Sequence, residues 1–423
     1  MNILMMTNTY LPHVGGVANS VALYTNELRK LGHHVVVVSP HFEDEPKDEQ
    51  DVIRIPAIQH FNGSDFSMIL PIPGFLDLHL KNFKPDIVHS HHPYFIGSIA
   101  VRISTKYNVP LVFTHHTMYE HYTHYVGNIP RMKEFVINLS TGYANMSDVV
   151  VSPSESFAQL LKKRGVDVPI EVIPTGVNID TFSHGDGQKT RNQINIPQDA
   201  FTAGYIGRLE SEKNLEFLSK AVAMFLHQNS NAHFLIVGYG ALEEQLKELF
   251  YLEGLQNRVH FTGKLTGQKL IDAYHSIDVF VFSSKTETQG LVLAEAMAAG
   301  VPVVALDAIG VREVVKNEIN GLLIMDENTE VFCEVLTKMS RLPDEIRKNY
   351  QLAAKNTAEN FTVSKCISKI TSVYQKLLES ETAGITRDES GWQNTVEQIK
   401  AEWNLLSNFT VAVGDALHKD STR

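Results

Sequence analysis

Residues 280–305 read Phe280-Val-Phe-Ser-Ser-Lys-Thr-Glu287-Thr-Gln-Gly290-Leu-Val-Leu-Ala-Glu295-Ala-Met-Ala-Ala-Gly300-Val-Pro-Val-Val-Ala305. The β-branched and aromatic run ending near Phe282 reads as a buried parallel strand. A polar loop, Ser283 to Gln289, follows. Gly290 opens a short helix rich in Leu, Ala and Met, and Gly300 stands where a left-handed cap stops it. Pro302 leads into a further strand, Val303 to Leu306. Strand, loop, helix, strand is half of a doubly wound α/β unit, whose ligands sit at the carboxyl ends of its strands.

Two carboxylates give this stretch chemistry. Glu287 lies in the loop, and Glu295 lies inside the helix on the face of Leu291. A carboxylate packed among Ala294, Ala296 and Ala298 needs hydrogen-bond donors, which a pair of vicinal sugar hydroxyls supplies. Between the two, the first-turn N–H groups of Gly290, Leu291 and Val292 form an anion site. Together these describe a cradle for a nucleotide sugar. A helix-start Glu beside a Glu paired to a structural base fits the same two residues, and the stretch by itself leaves both readings open.

Glu287 and Glu295, the Gly-Leu between them and the following Glu-Ala-Met-Ala-Ala-Gly-Val-Pro-Val-Val resemble the E-x7-E signature of retaining family-four glycosyltransferases. The resemblance spans roughly residues 1 to 380. It implies the GT-B architecture, two Rossmann-like doubly wound domains facing across a cleft, with a C-terminal helix crossing back to the first domain. Where the wider family has Phe-Gly before the Leu, this chain has Thr-Gln-Gly. That variant, with His116-Thr-Met-Tyr-Glu-His-Tyr-Thr-His-Tyr125, is similar to the branch that places glucose on diacylglycerol.

The whole chain is compatible with this. At 423 residues it is long enough for two domains. A net charge of −11 argues against nucleic acid as a partner. The two cysteines, Cys333 and Cys366, make neither a disulfide framework nor a metal spacing, so a reducing cytoplasm is expected. The N-terminus enters a strand at once and shows no signal peptide, and no apolar run is long enough to span a bilayer.

In the first half, residues 2 to 7 read as a strand, followed by Gly15-Gly16 at a helix start. A tight turn accounts for that pair; the resemblance assigns it to the donor diphosphate. Residues 87 to 93, Ile-Val-His-Ser-His-His-Pro, read as strand then loop. His89 and His91 fall on one side of an extended chain, with no third ligand for a metal nearby. His91, nearer the loop, is the expected cleft residue. His116, after the strand that begins at Leu111, stands where the family keeps a His near the transferring sugar; a neutral imidazole there can bond a sugar hydroxyl or the leaving phosphate. His115 is expected to be structural. Tyr119, Tyr122 and Tyr125 read as an acceptor wall or as one face of an amphipathic helix.

In the second half, the strand starting at Phe201 runs into Arg208-Leu-Glu-Ser-Glu-Lys213-Asn, which resembles the family's G-R-x-x-x-x-K loop. Arg208 and Lys213 would then meet the leaving diphosphate as a fork and a point charge; surface ion pairs with Glu210 and Glu212 are the alternative. Gly238 and Gly240 permit close backbone approach near the donor. The expected domains are 1–182 and 183–362, with a flexible linker at 183–190, a crossover helix at 363–380 and an extra helical tail at 381–423. In the tail, Trp392, Val396, Ile399 and Trp403 share one helical face, which fits packing on the body, contact with a second copy of the chain, or peripheral membrane contact.

The function expected is hexosyl transfer from a nucleotide diphospho-sugar, UDP-glucose by resemblance, to a hydroxyl of a small or lipid acceptor, diacylglycerol included, at the inner face of the membrane. Catalytic roles fall to His116, Arg208, Lys213 and Glu287; donor contacts to Gly15, Gly16, Arg208, Lys213, Gly238, Glu287, Gln289, Gly290, Leu291, Val292 and Glu295; acceptor contacts to His91, Tyr119, Tyr122 and Tyr125. The absence of a D-x-D pair predicts activity without a metal or other cofactor. A water-soluble acceptor, a glycoside hydrolase using Glu287 and Glu295, and a silent nucleotide-sugar-binding subunit are the alternatives.

Overall fold

The computed structural model describes residues 1–13, 15–58, 67–70, 74–121 and 130–384, with the single positions 400, 404 and 408. The chain divides into two compact units: Met1–Pro174 together with the stretch from Cys366 onward, and Thr175–Lys365.

In the first unit the strands are β1 (Asn2–Met6), β2 (His34–Pro40), β3 (Val52–Ile55), β4 (Ala57–Ile58), β5 (Met68–Ile69), β6 (Ile87–Ser90), β7 (Leu111–Thr114), β8 (Val149–Ser152) and β9 (Ile170–Val172). β4 and β5 pair antiparallel by themselves. The others form a parallel sheet in the order β3-β2-β1-β6-β7-β8-β9. All of β6, β7 and β8 is buried, as expected where helices cover both faces and strands need no polar side. The helix Gly16–Lys30 lays Ala18, Val21, Ala22, Tyr24 and Leu28 into the core, and Gly32 ends it with φ +84.

The helix Val363–Gly384 is the crossing helix, and it runs past residue 380. From Cys366 it belongs to the first unit, where Cys366, Ile367, Ile370, Val373 and Tyr374 are buried at helical spacing. The Tyr374 hydroxyl lies 2.6 Å from His89 Nδ1.

The second unit contributes β10 (Phe201–Ile206), β11 (Ala232–Val237), β12 (Val259–Phe261), β13 (Val279–Phe282), β14 (Val303–Leu306) and β15 (Gly321–Ile324), all parallel, in the order β12-β11-β10-β13-β14-β15. From β10 the chain first builds outward one way and then restarts on the other side with β13. The connections leaving β10 and β13 therefore run to opposite faces of the sheet, and the crevice at this switch point, outside the carboxyl ends of the two strands, is where such sheets hold ligands.

Two details differ from expectation. Residues 183–190 are not a free linker. Asp186 caps the helix Gly187–Gln193, its side chain accepting from Lys189 N at 3.0 Å, and Asp186 N donates to Asp272 Oδ1 at 2.9 Å. A Cβ on Gly187 would lie 2.1 Å from the His275 carbonyl, so this glycine serves close packing rather than mobility. The units also part earlier, at Thr175. There Val177 N donates to Phe361 O at 2.7 Å and Val177 bridges Thr362 in parallel, so the chain entering the second unit pairs with the chain about to leave it.

Trp392, Val396, Ile399 and Trp403, like Tyr122 and Tyr125, lie outside the described residues. Asn408 donates from Nδ2 to Leu139 O at 3.1 Å in the helix Pro130–Ala144. No described helix is long and apolar enough to cross a membrane.

Candidate functional site

The loops after β10 and β13 are stitched together before any charged group is considered. Tyr205 donates its hydroxyl to Arg208 O at 2.9 Å. Ser283, the first residue beyond β13, reaches both Lys213 O and Asn214 O at 3.0 Å. Thr286 Oγ1 donates to Glu212 O at 3.3 Å. Asn214 takes a left-handed φ of 55° and starts the next helix, Leu215–Gln228.

This scaffold places Lys213 Nζ 2.7 Å from Glu287 Oε1. Arg208 Nη2 lies 2.6 Å from Glu212 Oε1; the Glu212 side chain is 2% exposed while that of Arg208 is 41% exposed. A buried carboxylate thus anchors a partly exposed guanidinium. Of the ion pairs weighed in the sequence, Arg208 with Glu212 forms, whereas Lys213 pairs with Glu287, so each cation is held by a carboxylate.

The two glutamates titrate apart. Burial pushes the Glu287 carboxyl up, but the Lys213 ammonium beside it, with help from Ser284 and Arg208, overrides that and leaves it below its ordinary value. Burial raises the Glu295 carboxyl to about 7, opposed by the Tyr274 hydroxyl that donates to Oε2 at 2.7 Å. One carboxylate is charged, and the other holds its proton up to near neutral pH. Tyr274 lies on a separate helix, Gln268–His275, and no motif marks it.

Gly290 caps the helix Leu291–Ala298 with φ 71°, a conformation that favours glycine. The amides of Gly290, Leu291 and Val292 precede the first intrahelical acceptor and face out of the helix start. Behind them Gly310, also missed in the sequence, has φ +75, and a Cβ there would lie 2.7 Å from Gln289 N and 2.8 Å from Glu287 O. Only a glycine lets the backbone support the Glu287 loop this closely.

Two expected donor residues are corrected. The Gln289 side chain is buried and engaged at both ends with Thr175: Thr175 N donates to Oε1 at 2.6 Å, and Nε2 donates to Thr175 O at 2.8 Å. It anchors the loop instead of reading a ligand. Gly238 N donates to Gly263 O at 3.0 Å, and a Cβ on Gly238 would lie 1.8 Å from Gly207 O. The close approach that this glycine permits is that of the Arg208 loop itself.

In the first unit, Gly15 caps the helix Gly16–Lys30. A Cβ on Gly16 would meet nothing within 4 Å, so the protein's own packing does not require glycine there. His115 is buried against Phe113 and Phe157. His91 is fully buried, which corrects its expected role as a cleft residue. Its ring sits behind His116, with Nδ1 2.9 Å from His116 Nε2; His116 is the partly exposed member. His89 and His91 do share a side, their ring centroids 4.2 Å apart. Tyr119 packs edge-on against Tyr94 at 5.0 Å. Among the described residues no three metal-binding side chains converge.

Comparison with known proteins agrees with this geometry. Residues 14–181 match Glycosyltransferase Family 4 and residues 186–357 match Glycosyl transferases group 1. The alpha-monoglucosyldiacylglycerol synthase of Streptococcus pneumoniae is 28% identical over 378 residues, spanning 84% of this chain and 83% of that protein. Its counterpart from Acholeplasma laidlawii is 26% identical over 383 residues, spanning 86% and 96%. HepE of Anabaena, solved with UDP and glucose, shares the fold at TM-score 0.71 and 20% identity, covering 89% of this chain and 100% of that one. Transferases on both halves of the chain set the hydrolase alternative aside. The chain therefore belongs to the family-four glycosyltransferases of GT-B fold and resembles their monoglucosyldiacylglycerol synthase branch.

Proposed function

We propose that this glycosyltransferase moves glucose from UDP-glucose to the free hydroxyl of diacylglycerol, with retention and without a metal, at the surface of a membrane. One observation carries the reading: Arg208, Lys213 and the helix start at Gly290 lie on the two loops that meet at the switch point of the second sheet. As the glycosidic bond breaks, positive charge grows on the sugar and negative charge on the diphosphate. A fixed guanidinium, an ammonium and main-chain amides stabilise that leaving charge without having to reorganise.

In this reading Glu287 takes hydroxyls of the sugar while orienting Lys213, and Glu295 takes the ribose diol. Gly15 and Gly16 lend backbone to the diphosphate, and His116 bonds a hydroxyl. The acceptor attacks on the face that the phosphate leaves, which gives an α-glycoside. Two relatives named for alpha-monoglucosyldiacylglycerol support the acceptor, and a structural neighbour solved with UDP and glucose supports the donor. The lack of a D-x-D pair in the sequence supports metal independence.

The test is incubation with UDP-glucose and vesicles containing diacylglycerol, with and without a chelator, followed by mass spectrometry and assignment of the anomer by NMR. An α-glucosyl lipid formed equally in both arms is expected. Turnover only on water-soluble acceptors, or loss of activity with the chelator, would overturn the corresponding part.

A further inference from the structure

The first sheet has a switch point of its own. From β1 the chain builds β2 and β3 on one side and then returns to place β6 on the other. The carboxyl ends of β1 and β6 therefore border a second crevice of the kind that holds ligands. The segments leaving the two strands are joined there. Asn8 Nδ2 donates to Tyr94 O at 3.2 Å, Ser90 Oγ donates to His92 O at 2.9 Å, and Asn8 N donates to His92 Nδ1 at 3.1 Å. The His92 residue is 7% exposed.

The main chain fixes where the proton sits on this ring. A peptide N–H only donates, so the nitrogen it meets carries no hydrogen; a proton on Nδ1 would face the Asn8 N–H head-on. The Thr7 hydroxyl lies 3.3 Å from the same nitrogen. His92 is neutral, held at about 3 by burial and by the neighbouring His116 and His13 rings. A neutral imidazole has one N–H, which is therefore on Nε2. Among the described residues no group accepts from it. A covered donor at a switch point, with no acceptor of the protein's own, marks a place for an oxygen of the ligand.

We propose that His92 is a sugar-binding residue, whose Nε2–H donates to a hydroxyl oxygen of the hexose carried by the nucleotide. Its place supports this ligand. The ionisable rings that act on it are those of His116, assigned above to a hydroxyl, and His13, which precedes the Gly15-Gly16 turn. Its chemistry supports the same ligand. With Nδ1 committed to the Asn8 N–H, the ring cannot take a second proton without breaking that bond. It therefore neither relays a proton nor offers a phosphate a positive charge; it is a fixed neutral donor, matched to a neutral oxygen. In the sequence His92 has no marked role, because the amide that sets its tautomer lies 84 positions away. The hexose rests on the transferase reading above; the tautomer does not.

The test measures binding of UDP and of UDP-glucose to the full-length chain by calorimetry, without acceptor. His92→Asn keeps an oxygen where Nδ1 accepts from Asn8 N and removes the Nε2–H. It should melt close to the wild type, bind UDP unchanged and bind UDP-glucose about 3–10-fold more weakly. His92→Gln extends an amide N–H toward the Nε2 position but gives up the Nδ1 acceptor. It should melt lower, yet keep more of the UDP-glucose affinity than His92→Asn. Equal losses for UDP and UDP-glucose would put the bond on the phosphates, and no loss for either would leave it to water; both overturn the proposal. A wild type that binds UDP but gains nothing from the glucose would overturn the hexose together with the transferase reading. Should neither variant fold, 15N-histidine spectra of the wild type decide. The His92 ring, assigned through its backbone, should be neutral and Nε2-protonated and should shift with UDP-glucose but not with UDP. A ring protonated on Nδ1, or one that UDP-glucose leaves unmoved, would overturn the proposal.

Discussion

Lys213 Nζ and Glu287 Oε1 meet at 2.7 Å although 74 positions separate them in the chain. Both side chains are mostly covered, at 14% and 18% exposure. Each therefore depends on the other, and Lys213→Ala strands a partly buried carboxylate. We expect that substitution to lower stability by about 1–3 kcal/mol, and Lys213→Ala with Glu287→Gln to recover part of that. A double-mutant cycle by urea unfolding measures the coupling; strictly additive losses would mean that the pair does not interact in solution. In turnover, Lys213→Ala should reduce kcat by about 10²–10³ if the ammonium meets the leaving diphosphate.

Glu295 supplies a pH signature. Its carboxyl is raised by burial to about 7, so the folded state holds a proton there that the unfolded chain has already released. Stability from this group is present below its unfolded value and is lost as pH rises through about 7. The Tm of Glu295→Gln should gain on that of the wild type across this window, with the two similar in mild acid. In the same range UDP affinity of the wild type should rise as the carboxylate forms, and that of Glu295→Gln should stay flat. Parallel melting curves for the two proteins at every pH would rule out the buried, proton-holding carboxyl.

Gln289→Leu removes the partner of both main-chain groups of Thr175. A buried amide and a buried carbonyl lose their bonds, at about 1–3 kcal/mol each. Denaturant unfolding should show the loss, with UDP affinity much less affected than in Glu295→Gln. A large selective loss of UDP binding with unchanged stability would return Gln289 to the donor contacts.

Two glycines should respond in opposite ways. Gly238→Ala forces a Cβ to within 1.8 Å of Gly207 O at a φ of +150, so the variant should be severely destabilised or insoluble. Gly16→Ala meets open space. It should fold with an unchanged Tm yet turn over the donor poorly, because the methyl fills room that the protein leaves empty. Full activity in Gly16→Ala would remove that loop from the donor contacts.

Much of this was legible in the sequence because local rules carry it. Val303 to Leu306 and the stops at Gly32 and Gly300 lie where periodicity and left-handed glycines put them. Arg208, Lys213, Glu287 and Glu295 stand in motifs whose spacing is local. What stayed hidden depends on contacts between distant segments. Tyr274 meets Glu295 only after two elements pack, Gly310 supports a loop that no nearby residue announces, and Gln289 looks like a ligand until Thr175 is seen beside it. Asp186 and Gly187 read as punctuation in the sequence, and it took His275 and Asp272 to show a capped, packed helix. The place of His91 after a strand points to a cleft, and its burial comes with contacts to Met5, to His116 and to the His89 ring, which Tyr374, almost three hundred residues on, holds in turn.

The pairing of Val177 with Phe361 and Thr362 has a practical bearing on dissecting the chain. A truncated fragment begun at residue 183, the tempting cut before the polar turn, would discard the peptide group that Gln289 clasps and the neighbour of the returning backbone. One begun at Thr175 and ended at Lys365 keeps both, and should be a piece that still melts cooperatively and still captures the nucleotide.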